Sequence, residues 1–168
     1  MNRKTRAYCS RALAMICLLA IASTAVGEVS IDELHLSPKL VPTPALAPVQ
    51  VVRIQLNALR HNDAQNLGIE IAFRFASPNN KLSTGPLPRF ISMVRQEPYS
   101  LMLAYENLAY HPVEVIEDRA RQRVTLIGSG LVIDYEFYLS RQTEGACVGC
   151  WMTDAVLARR PSGLQVQA

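Results

Sequence analysis

From Leu131 to Leu139 the chain alternates residue by residue. Leu131, Ile133, Tyr135, Phe137 and Leu139 are apolar, and Val132, Asp134, Glu136 and Tyr138 stand between them. Alternation of this length specifies a β-strand with one buried and one mostly polar face. A lone strand cannot bury that face, so the pattern commits the chain to a sheet with a second layer packed on it. Gly128-Ser129-Gly130 is a tight-hairpin signal that joins this strand to Gln122–Gly128. Upstream, Leu101–Tyr110 and His111–Glu117 read as one long bent strand or two short ones, with Pro112 marking a bend or an edge. Downstream, Thr143-Glu144-Gly145 makes a turn and Cys150–Arg159 is the closing strand.

The covering layer is written ahead of the sheet. From Val49 to Asn62, Val52, Leu56 and Leu59 share one face with Val51, Ile54 and Ala58 beside them, which is helical spacing. Ile69, Ala72, Phe73 and Ala76 repeat the i, i+3, i+4, i+7 template, with Asn66 as its cap and Ser77-Pro78 as its stop. Asn79–Thr84 reads as a polar loop. A third helix starts at Pro86, places Leu87, Phe90, Ile91 and Val94 on one side, and is ended by Pro98. Helices this short do not stand alone in water. The spacing therefore predicts an α+β fold of three N-terminal helices packed on one face of a curved antiparallel sheet.

With 168 residues the chain holds about one domain. A composition of 49% hydrophobic and 18% charged residues excludes a disordered chain, a collagen-like repeat and a polytopic membrane protein. Arg3, Lys4, Arg6 and Arg11 precede an apolar run, Ala12–Ala22, and a small-residue exit at Ser23-Thr24-Ala25. These are the three parts of a secretory signal, with cleavage after Ala25 or, second, Gly27. The run falls short of the roughly 20 residues that span a bilayer, which disfavours an uncleaved anchor. Ile16 before Cys17 disfavours a lipoprotein. The expected product is exported to the periplasm or the extracellular space. Without the signal, 13 basic residues face 14 acidic ones, a net charge of −1, which offers no footprint for nucleic acid or an anionic membrane. Residues 26–48, punctuated by Pro38, Pro42, Pro44 and Pro48, read as a Pro-rich linker, 49–160 as the single domain, and 161–168 as a disordered tail.

With helices first, then the Gly128-Ser129-Gly130 hairpin, the Tyr135–Leu139 strand, and Gly145 followed by Trp151, the body resembles the nuclear-transport-factor-2-like superfamily. That fold, also described as cystatin-like, is a cone in which a strongly curved sheet wraps on helices. Within it, the body is similar to a bacterial domain-of-unknown-function family, number 4864. Gln55, Ala58, Leu59 and Asp63 match its first-helix pattern; Ala72, Phe73, Ala76, Ser77 and Pro78 match an Ala-Phe-x-x-Ala-Ser-Pro run. Phe90, Met93 and Val94 match a Phe-x-x-Met-Val run with Tyr99 beyond it, and Trp151–Leu157 a closing Trp strand. The likeness covers about residues 49–160. One departure is the Cys147-Val-Gly-Cys150 turn, where family members often carry a plain Gly-x-Trp. The resemblance implies a fold and brings no catalytic residues.

Cones of that superfamily often enclose an apolar pocket, and some members use it for isomerase, dehydratase or cyclase chemistry. Such chemistry needs an acid–base group inside an apolar cavity. Asp154 and Asp63 are the least excluded carboxylates. Asp154 falls in phase with Met152 and Val156, either of whose faces could be inward, whereas Asp63 also reads as a cap or a helix–sheet tie. Asp134 falls on the polar face of its strand, and His61 and His111 show no diagnostic spacing. Phe73, Phe90, Tyr105, Tyr135, Phe137 and Trp151 are candidate pocket walls and equally candidate core, since a body of this size must bury most of its large side chains. Cys147 and Cys150 are the cysteines left after signal removal, spaced for a local disulfide. A thioredoxin-type centre would need a helix after them, and Trp151–Leu157 reads as a strand. A zinc site would need a second ligand pair, which the sequence lacks. No cofactor motif is present. The expectation is a non-enzymatic module that binds a small apolar ligand or a protein, with pairing of two copies through the sheet as one form of partnership. The alternatives are a cofactor-free lyase or isomerase and a thiol-redox protein.

Overall fold

In a computed structural model, which describes residues 38–159, the alternating segment is the third strand of a four-stranded meander. Five helices come first: α1 (Pro48–Arg60), α2 (Leu67–Arg74), α3 (Pro78–Thr84), α4 (Leu87–Val94) and α5 (Leu101–Ala104). Strands β1 (Asn107–Ile116), β2 (Arg119–Gly128), β3 (Leu131–Arg141) and β4 (Trp151–Arg159) follow, each antiparallel to its neighbour in chain order. The fold is α+β. The signal segment, the start of the linker and the tail lie outside the described residues.

The hairpin forms where the sequence places it. Gly128 pairs with Leu131, and Ser129 and Gly130 both take left-handed φ values, 52° and 72°. That is the two-residue turn whose twist matches its strands. Ile133, Tyr135, Phe137 and Leu139 are at most 5% exposed and meet Val124 and Leu126 of β2 on the helix-covered face. The apolar side of α1, Val51 through Leu59, is buried against them. Where α1 meets α2 the backbones touch: a Cβ on Gly68 would lie 2.0 Å from the carbonyl oxygen of Ala58. A glycine is required there by space.

Two β-bulges bend the sheet. One lies between Tyr110 and Val113, at Pro112, and Gln122 Nε2 donates to the carbonyl of His111 inside it (3.1 Å). In the other, Tyr138 pairs with Ala155 and Leu139 with Thr153, so Asp154 has no residue opposite. An inserted residue reverses the alternation beyond it. Thr153 is buried before the bulge, and Val156 and Ala158 pack on the core after it. One unbroken phase for Met152, Asp154 and Val156 is therefore incorrect.

The helical layer differs from the expectation of three helices. Asn79–Thr84 is not a loop. Ser77 Oγ accepts the Asn80 amide (3.2 Å) and Pro78 fills the first helical position, so the pair expected to stop α2 starts α3. Leu101–Ala104 is a helical turn rather than the start of a strand. Its amides bond locally, Met102 to the Tyr99 carbonyl and Leu103 to that of Ser100 (3.0 Å each), rather than to a neighbouring strand, and Leu101 and Met102 are both buried. Asn66 precedes α2 in a left-handed conformation, and its side chain accepts from Arg95 instead of capping (2.6 Å). The capping falls to Asp63 Oδ1, which accepts the Leu67 amide at 2.9 Å, and Asn62 Oδ1, which accepts that of Ile69 at 3.0 Å. Helix α2 also ends before Ala76, which forms a parallel bridge with Thr153, and Phe75 is buried more deeply than Phe73.

The α1–α2 contact yields a direct test. Gly68→Ala must separate two backbones and should cost at least about 2 kcal/mol in urea unfolding, in the upper range for overpacking. An unchanged midpoint would contradict the contact.

Candidate functional site

The helices and the far end of the sheet enclose a cleft of about 250 Å³. The sheet contributes Phe137 of β3 and Thr153–Val156 of β4, the helices α1, α2, α3 and α4 contribute the other walls, and Tyr99 and Met102 complete the lining. The apolar wall includes Leu59, Phe90, Met93, Val94 and Met102.

A polar seam crosses this wall, and its members bond to one another. Thr153 Oγ1 donates to Gln55 Oε1 (2.7 Å), and Gln55 Nε2 donates to the carbonyl of Ala72 (3.0 Å). Asn80 Nδ2 and the Ser77 amide both donate to the Thr153 carbonyl, at 3.0 and 2.9 Å, and the Thr153 amide donates to Phe75 (2.9 Å). Satisfied in this way, the seam remains in an apolar cleft without the penalty of orphaned polar groups. Tyr99 spans the rim by donating its hydroxyl to the Val156 carbonyl (3.1 Å).

Of the expected aromatic residues, Phe90 and Phe137 line the cleft. Phe73 stands behind Phe90, ring centroids 5.0 Å apart. Tyr105, Tyr135 and Trp151 are buried in the core away from it. Tyr135 is closed off completely, and its hydroxyl donates to the Pro98 carbonyl at 2.5 Å. Burial pushes its pKa well above the ordinary tyrosine value, with the neighbouring Tyr99 adding to the rise. Burial also raises Tyr105, against the opposing charge of Arg60.

Asp154 is the expected carboxylate that reaches the cleft. At the bulge its side chain turns to the outer face of the sheet, where Ser140 Oγ donates to Oδ1 (2.9 Å) and Arg119 to Oδ2 (3.4 Å). Arg119 is itself 78% exposed, so this pair faces solvent. Asp63 does not line the cleft; it caps α2 at an exposed position. The outer face continues the polar pattern with Arg121–Glu114 (2.9 Å), Arg159–Glu136 (3.2 Å) and Thr125 between His111 and Asp134 (2.9 and 2.6 Å).

Cys147 and Cys150 form a disulfide across a turn that runs directly into β4, with no helix after it. Its underside meets the N-terminal segment: Cys147 Sγ lies 3.4 Å from the Pro42 carbonyl oxygen, and Leu40 and Leu46 pack on the core. Among the described residues no group of three or more His, Cys, Asp or Glu side chains could hold a metal. No helix among them is long and apolar enough to cross a membrane.

Gln55, Asn80, Met93, Tyr99, Met102 and Thr153 were not expected as site residues. Gln55 carried a usable signal, because a polar residue between Val52 and Leu59 on an apolar helix face needs a buried partner.

The helices-on-sheet unit coincides with a known family. A family model described as a domain of unknown function (DUF4864) matches residues 45–165. The chain belongs to the DUF4864 family. The match begins just before α1 and runs past β4, so the cleft and its polar seam lie inside the DUF4864 domain. No curated protein and no solved structure matches the chain.

Tyr135 makes the stability of the DUF4864 domain sensitive to alkali. Its folded-state pKa is raised, so the native state keeps a proton that the unfolded chain loses. This contribution is intact below the unfolded tyrosine value of about 10 and declines as pH rises past it. Urea unfolding between about pH 9 and 11 should show wild-type stability falling more steeply than that of Tyr135→Phe. Parallel curves would refute the assignment.

Proposed function

We propose that this DUF4864 chain is an exported, non-enzymatic binding module whose cleft takes a small apolar ligand. The observation that carries the reading is the cleft: about 250 Å³, walled by aliphatic, aromatic and Met side chains, with its polar seam bonded internally. An engineered cavity of about 150 Å³ lined by Leu, Ile and Phe accepts benzene. Pockets of this make-up, apolar with a few convergent polar groups, are the usual small-molecule sites. The two bulges, each adding bend and twist to a four-stranded sheet, support the nuclear-transport-factor-2-like cone.

Export is supported by the basic start, the apolar run Ala12–Ala22 and the small residues near Ala25 and Gly27. A disulfide between Cys147 and Cys150 agrees with an oxidising compartment. A lyase or isomerase has weaker support, since its base must be free inside the cavity and Asp154 is engaged outside it. A thiol-redox centre lacks the helix N-terminus that would lower the Cys147 pKa. Pairing of two copies through the outer face of the sheet would bury the ion pairs there, at a desolvation cost.

Titration with small aromatic hydrocarbons, read by the methyl resonances of Met93 and Met102, tests the reading. Saturable shifts at both methyls are expected, and Met93→Trp, which fills the cleft, should abolish those at Met102 while the domain remains folded. Absence of saturable shifts with every hydrocarbon would overturn it.

A further inference from the structure

The hydroxyls around the cleft are polarised in one sense. Thr84 Oγ1 donates to the Asn80 carbonyl (2.9 Å), Ser83 Oγ to that of Asn79 (3.0 Å) and Tyr99 to that of Val156 (3.1 Å). Thr153 Oγ1 donates to Gln55 Oε1 (2.7 Å), and the orientation of that amide is fixed because its Nε2 donates to the Ala72 carbonyl. A carbonyl oxygen accepts and never donates, and a hydroxyl has one proton. Each of these protons is therefore committed to the protein, and what the hydroxyls can still offer a ligand is lone pairs. One Nε2 hydrogen of Gln55 and one Nδ2 hydrogen of Asn80 are likewise committed, to the Ala72 and Thr153 carbonyls. One hydrogen on each amide is all that remains of side-chain donor capacity.

Charge points the same way. None of the lining residues is Lys, Arg or His, and the carboxylate of the one acidic lining residue, Asp154, is engaged on the outer face of the sheet. Arg119 answers Asp154 from the solvent side and is not a lining residue. An anionic ligand would enter an apolar cleft whose lining residues include no cation to pair with it. Burying a charge so is among the most unfavourable events in recognition.

We infer that the cleft selects an uncharged ligand with an apolar body and a hydrogen-bond donor, a hydroxyl or N–H, and rejects carboxylates of the same shape. This rests on the binding reading above and adds the chemical class. The donor replaces its bond to water with one to a hydroxyl lone pair, and the apolar body covers Phe90, Met93 and Phe137.

Three probes of matched shape separate this inference from the reading beneath it: 4-butylphenol, butylbenzene and 4-butylbenzoate. Each is titrated into the mature chain at pH 7 and ionic strength near 0.15 M, with binding located by the Met93 and Met102 methyl shifts. The phenol should bind roughly 3- to 10-fold more tightly than butylbenzene, the range of one net hydrogen bond. The benzoate should bind at least roughly 100-fold more weakly than the phenol. Equal affinity of phenol and butylbenzene, or a benzoate as tight as the phenol, overturns the inference and leaves the apolar cleft standing as a site. No saturable binding by any of the three overturns both.

Discussion

Thr153 ties the helices to the sheet through every polar atom it has. Its amide donates to Phe75, and its carbonyl accepts from the Ser77 amide and from Asn80 Nδ2. Its hydroxyl donates to Gln55 of α1, which in turn holds the Ala72 carbonyl near the end of α2. One residue of β4 thus fixes α1, the end of α2 and the start of α3. Each of these groups is buried or nearly so, and an orphaned partner costs about 1–3 kcal/mol. The arrangement is therefore stable when complete and unfavourable when partial, which gives the junction a single geometry.

The cleft follows from that junction. Helices α2 and α3 meet β4 along one line of hydrogen bonds, and space remains between that line and α4, filled on one side by Phe90 and Met93. The adjacent bulge has a second effect. By giving Asp154 no opposite residue it turns the carboxylate toward Ser140 and Arg119, so the acid nearest the cleft is engaged on the other face. An apolar lining with internally bonded polar groups is suited to holding a molecule and offers it no free base.

The strands were the legible part of the chain, because alternation and a Gly-rich hairpin are local signals. β3 and β4 lie where the 131–139 alternation and Cys150–Arg159 place them, whereas β2 begins at Arg119, ahead of the Gln122 start that the sequence suggests. The helical layer was legible in its apolar faces and not in its boundaries. Ser77-Pro78 is chemically as good a start as a stop, and Leu101-Met102 needed tertiary burial to become a turn of helix. The site was mostly illegible. Phe90 and Phe137 could be named as wall or core, but Gln55, Asn80 and Thr153 meet across separations of 73 and 98 residues, which no local pattern encodes. The bulge at Asp154 is likewise set by its pairing with β3, and it alone decides which way that carboxylate points.

Native-state hydrogen exchange at the Thr153 and Ser77 amides tests most directly whether this junction is the keystone of the fold. Both amides should exchange through the same opening as the central-strand amides of Val124 and Tyr135, with the same free energy and the same denaturant dependence, because the helices cannot leave the sheet while the junction holds. Exchange of Thr153 and Ser77 through a smaller, denaturant-insensitive opening, with Val124 and Tyr135 still protected, would contradict the account.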